Sequence, residues 1–140
     1  MNYKIILAAI SLYFATCTNA FADKNYIQAA QQCSNNKDEQ TISRCLDVLI
    51  DNIDRDMQAW VNNQTFILEE LALKSGRSSA LSMFKRAQSN FVKYQEDNCR
   101  WQYLAISPNK MANISYKQCY IHLSVTRINE LKRSSNSNKH

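Results

Sequence analysis

One glycine, Gly76, and one proline, Pro108, punctuate the whole chain. Sheet and loop-rich folds need such residues at their many turns, so this chain has room for few turns and long elements between them. The intervening stretches are rich in Gln, Glu, Lys, Ala and Leu, which are good helix formers. Periodicity points the same way. Ile42, Leu46, Leu49, Ile53, Met57, Trp60, Ile67 or Leu68, and Leu71 recur at steps of three and four residues. That spacing predicts one long amphipathic helix over about 38–74. Its stop is Ser75-Gly76, where the glycine can take the left-handed cap conformation.

Ser78 or Ser79 is placed to cap a second long helix that must end before Pro108. Leu81, Phe84, Gln88, Phe91, Tyr94 or Gln95, and Asn98 share its inward face. A third helix is expected from about Lys110 to Arg133 through Met111, Ile114, Leu123 and Leu131, and a short one around Tyr26 to Cys33 precedes them all. The polar tail 134–140 (SSNSNKH) is expected to be disordered. Short connections make sequential helices antiparallel neighbours, so the fold class is all-α: an up-down bundle of three main helices plus a short N-terminal one. No internal repeat or domain boundary is visible, and residues 23–133 suit a single core.

The first residues carry a different message. MNYK is followed by the apolar run IILAAISLYFATC and by TNAFA, with Ala20 and Ala22 three and one residues before the expected cut. This describes a secretory signal peptide over 1–22. The run is short for a membrane span, and no other segment approaches the ~20 apolar residues a span needs. A periplasmic or secreted protein of 118 residues (140 minus 22) is therefore expected, without stable membrane insertion. Cys17 offers the lesser alternative of a lipid anchor, although Phe14-Ala15-Thr16 before it fits the small-residue pattern of lipoproteins poorly.

With Cys17 removed, four cysteines remain: Cys33, Cys45, Cys99 and Cys119. An even number in a small exported domain reads as two disulfides. Three pairings are open in sequence, and loop length favours Cys33 with Cys45 and Cys99 with Cys119. Zinc is disfavoured, because there is no CxxC pair and the histidines are only His122 and His140.

Charge is segregated. From Asp23 to Glu70 there are four bases and nine acids, and from Leu71 to His140 twelve bases and three acids, giving −5 and +9 for the two halves. Such a dipole suggests halves that pack on one another, or a basic face for an anionic surface. Asp47, Asp51 and Asp54 form an acidic row at i, i+4 and i+7 on the first long helix, a candidate partner-binding feature able to steer a cationic protein. An ordinary solvated helix face is the plainer reading of any such row.

Catalytic machinery is not expected. Glu96 and Asp97 are adjacent, so on a helix they diverge by roughly 100° and do not form an acid–base pair. No serine sits in a nucleophile elbow, and one glycine cannot build a phosphate loop. No cofactor, metal or nucleic acid is expected.

The stretch AQSNFVKYQEDNC, residues 87–99, resembles the "AQRAWxxYRDxxC" helix of the LprI-like lysozyme inhibitor family, small exported helical proteins. A second stretch, CYIHLSVTRINEL, residues 119–131, matches the family's later pattern through Cys119, Leu123, Arg127, Glu130 and Leu131. Cys33 and Cys45 also sit where the family has a pair. Departures are visible: Phe91 stands for the family's Trp, Gln95 for its Arg and Glu96 for its Asp, AISPNKMANIS replaces a Gly-rich segment, and DNIDRDM blurs a "D..LN..Y" pattern.

The resemblance implies a structural motif in which Gln88, Phe91, Tyr94 and Leu131 pack and Cys99 is locked to Cys119. A further expectation, separate from the resemblance, is that Arg127 pairs with Glu96 across the helix interface. The resemblance also implies an exported bacterial protein that acts by protein–protein contact, with lysozyme the leading partner. The alternative is a periplasmic envelope accessory or immunity protein. It would bind an anionic surface or a secreted toxin, using Lys85, Arg86, Lys93, Arg100, Lys117 and Arg127.

Overall fold

A computed structural model describes residues 25–137. The expected leader, with Cys17, and residues 138–140 lie outside the described residues. Four helices follow in order: α1 Tyr26–Ser34, α2 Glu39–Ser75, α3 Ser79–Ile106 and α4 Ala112–Ser137. No strand occurs among the described residues.

Local chemistry sets most of the boundaries. Asp38 is in an extended conformation and its carboxylate accepts a hydrogen bond from the Thr41 amide, so α2 begins on a capped turn. Hydrogen bonding from Thr41, first through its side chain and then through its amide, holds the Asp38 carboxyl below its ordinary value. At the other end Gly76 has φ 68° and its amide donates to the Ala72 carbonyl, the left-handed stop expected from sequence. Ser78 occupies the cap position of α3 but makes no side-chain capping bond. Its backbone is already helical, with φ −94° and ψ −1°, so the expected serine cap does not form.

The helices alternate in direction, which makes α2 and α4 parallel and sets α3 antiparallel to both. Cross-helix bonds fix the registers: Lys117 and Tyr120 of α4 meet Asp47 and Asp54 of α2, and Ser135 meets Gln64. Gln95 and Gln88 of α3 meet Ser124 and Arg127 of α4. Thus α2 and α4 form the centre of the bundle, each packed on all three other helices. The α4 core residues Ile114, Ile121 and Ile128 repeat every seven residues, opposite Ile42, Leu46 and Ile53 of α2. A seven-residue repeat keeps one stripe facing a neighbour along the whole contact. Tyr26, Ala30 and Cys33 of α1 complete this core, and disulfides Cys33–Cys45 and Cys99–Cys119 staple α1 to α2 and α3 to α4.

Three expectations change. Met111 precedes α4 and is exposed, whereas Ile121 and Ile128, outside the expected stripe, are buried. Leu71 is about half exposed because α2 has by then run past the end of α4. Finally, α4 continues beyond Arg133, since the Ser135 hydroxyl is buried and bonds to both Gln64 and Asn63.

Candidate functional site

The stretch 87–99 lies wholly in α3, and its geometry is that of a scaffold. Cys99 is completely buried, so the residue one turn earlier on the same face, Gln95, is buried with it. The Gln95 amide donates to the Tyr120 carbonyl at 3.0 Å and to Ser124 Oγ at 2.6 Å. Tyr94 is rotated away and 55% exposed, so the expected packing role passes from Tyr94 to Gln95. Asn98 and Gln102 donate their side-chain amides toward Cys119 Sγ.

Arg127 is largely covered. Its Nε donates to Gln88 Oε1 at 3.0 Å, its Nη1 bonds Glu130 Oε2 at 3.0 Å, and its guanidinium lies 5.6 Å from the centre of the Phe91 ring. The three contacts fix a planar cation between α3 and α4. Glu96 is exposed and makes no bond to Arg127 among the described residues, so the expected Glu96–Arg127 pair is replaced by Gln88 and Glu130. Leu131 is buried as expected.

The acidic row flanks the α2–α4 seam. Asp47 pairs with Lys117 Nζ at 2.7 Å, and the same ammonium reaches Ser43 Oγ at 2.6 Å. Asp54 accepts from the Tyr120 hydroxyl at 2.8 Å. Burial, and then this bond to a carboxylate, push the Tyr120 phenol well above the usual tyrosine range. Tyr26 is raised in the same way, by burial and by its bond to Asp56. The row therefore stays exposed, but two of its three carboxylates also brace the fold. Sequence spacing showed the row; the partners on α4, some 65–75 residues away in sequence, leave no periodic signal.

The basic residues sort into two groups. Lys117 and Arg127 are held inside the bundle seams, whereas Lys85, Arg86, Lys93 and Arg100 stand on the outer side of α3. Lys85 lies 3.7 Å from Glu69. Among them rise exposed apolar side chains, Met83, Tyr94, Trp101 and Leu104. An open pocket of about 340 Å³ beside Cys119 is lined mainly by Asn98, Gln102, Ser115, Gln118 and His122. No carboxylate lines it to orient His122, so it holds no nucleophile–base–orienter set. Among the described residues no group of three or more His, Cys, Asp or Glu side chains is placed to hold a metal ion.

No curated protein and no solved structure matches the chain. A family model described as "Lysozyme inhibitor LprI" matches residues 30–131, which is 102 of the 140 residues and takes in both disulfides and both motif stretches, 87–99 and 119–131. The chain belongs to the LprI lysozyme inhibitor family.

Proposed function

We propose that the protein is an exported bacterial inhibitor that acts on lysozyme by protein–protein contact rather than by catalysis. The family match over 30–131 carries this reading. Lysozyme cleaves with two carboxylates in a cleft on a strongly cationic protein, so an inhibitor must cover that cleft and be drawn to a positive surface. The acidic half of this chain, at −5 from Asp23 to Glu70, supplies the attraction, and Asp47, Asp51 and Asp54 form an exposed row within it. The basic half opposes it, so the acidic half must lead the encounter.

Asp51 is the member of the row to change first. Asp47 and Asp54 bond to α4, and their replacement mixes a folding effect into any loss of binding. Calorimetric titration of a vertebrate-type lysozyme with the oxidised protein is expected to show saturable binding that weakens in Asp51→Asn and weakens further with rising salt. Binding unchanged by Asp51→Asn and by salt removes the row from the interface, and no binding at all removes lysozyme as the partner.

A further inference from the structure

The outer face of α3 carries two rows that the scaffold role of its inner face does not explain. Arg86, Lys93 and Arg100 recur every seven residues, and Ala87, Tyr94 and Trp101 follow each of them by one. Seven residues fall about 20° short of two full turns and advance about 10.5 Å, so each row runs nearly straight along the helix, and the two rows lie roughly 100° apart around it, as the two flanks of one outward face. All six residues are exposed. Met83, also exposed, extends the apolar row at its start, exposed Leu104 lies between the two rows at the far end, and the span from 83 to 104 covers roughly 32 Å at 1.5 Å per residue.

The cations are not consumed by the fold. Arg86, Lys93 and Arg100 have no carboxylate partner within ion-pair distance among the described residues. Arg86 Nη2 rests on Met83 Sδ, and Trp101 Nε1 donates to Asn98, which leaves the indole ring outward. Asp97 stands between the two rows, within one turn of Lys93, Arg100 and Trp101, and Glu96 flanks the basic row on its other side; with Lys85 the exposed charge of α3 is nevertheless four bases against two acids.

We propose that this face docks the protein onto an anionic phospholipid bilayer. The shape decides against a polymer. A single helix face is convex and has no walls to enclose a strand, whereas a flat surface can meet all of its length. The chemistry fits the same choice: Trp and Tyr settle at the level of lipid headgroups, Leu and Met enter just below them, and Arg and Lys reach phosphates. No described helix is long and apolar enough to cross a membrane, so the helix lies on the surface. Each exposed cation contributes roughly fivefold to partitioning onto an anionic surface, so removing three is expected to weaken binding on the order of 100-fold.

The test uses protein purified after export from the full-length chain and vesicles of phosphatidylcholine with or without phosphatidylglycerol. Co-sedimentation is expected with phosphatidylglycerol vesicles, to fall steeply as salt rises, and to be absent for pure phosphatidylcholine. The R86Q/K93Q/R100Q variant, with its fold checked by circular dichroism, is expected to lose that binding. In Trp60→Phe the remaining fluorescence comes from Trp101 and is expected to shift to the blue on the anionic vesicles. Absence of sedimentation, equal binding by the triple variant, or no spectral shift from Trp101 overturns the proposal. Salt-sensitive binding to isolated peptidoglycan without binding to vesicles overturns it in favour of a polymer.

Discussion

The two ends of α2 are built to different standards. From Ile42 to Met57 the helix is clamped between α1 and α4. Leu46 and Ile53 are fully buried there, and one disulfide ties its second turn to α1. Beyond Gln64 the helix runs on for eleven residues to Ser75, about 16 Å, and the pair Lys85–Glu69 joins it to the start of α3. Phe66, Leu71, Leu73 and Met83 are exposed in that hairpin, Leu73 by 87%. Similar apolar content thus produces a core at one end and an open surface at the other. Burial depends on a third helix being present, not on the stripe alone.

Substitutions can break this comparison. Ile53→Ala removes a fully buried side chain from the α2–α4 seam and is expected to destabilise by about 2 to 5 kcal/mol in denaturant unfolding. Leu73→Ala, in the hairpin, is expected to stay within about 0.5 kcal/mol. Equal costs at the two positions contradict the division. Replacing Cys99 and Cys119 together by serine opens a loop of 20 residues, and the loss is expected to be about 3 kcal/mol, read from the same unfolding curves.

A smaller effect sharpens the assignment of α3. Gln95→Ala removes the donor to the buried Ser124 hydroxyl and the second donor to the Tyr120 carbonyl, for an expected loss of roughly 1 to 3 kcal/mol. Tyr94→Ala should change stability little, and the reverse order would restore Tyr94 to the core. The smallest effect is at the start of α2. The Asp38 carboxyl titrates lower folded than unfolded, so its contribution is complete above the ordinary value of 3.8 and is lost as pH falls through the folded value. The stability gap between the protein and Asp38→Ala should therefore be constant near neutrality and close in acid; a gap independent of pH contradicts the cap.

Much of this frame is legible in the residues themselves. Asp38 and Gly76 mark the ends of α2, Pro108 lies just beyond α3, and the short Cys33–Cys45 and Cys99–Cys119 separations point to the pairing that forms. Legible in principle, too, was the choice between Tyr94 and Gln95, because a cysteine bonded across to α4 fixes which residue one turn back faces inward. What periodicity does not carry is the set of buried polar partners. Gln64 with Ser135, Gln95 with Ser124, and Arg127 with Gln88 join residues distant in sequence, and a polar residue in a stripe reads as a gap. The acidic row shows the same limit: its exposure follows from helical spacing, its bonds to Lys117 and Tyr120 do not.

The functional claim meets its most direct test in a bacterial cell-lysis assay, with the oxidised protein titrated against a vertebrate-type lysozyme and the reduced protein as control. Stoichiometric inhibition that disappears on reduction is expected, because the inhibiting surface depends on helices held by two disulfides. Full lysis in the presence of a large excess of folded, oxidised protein contradicts the claim.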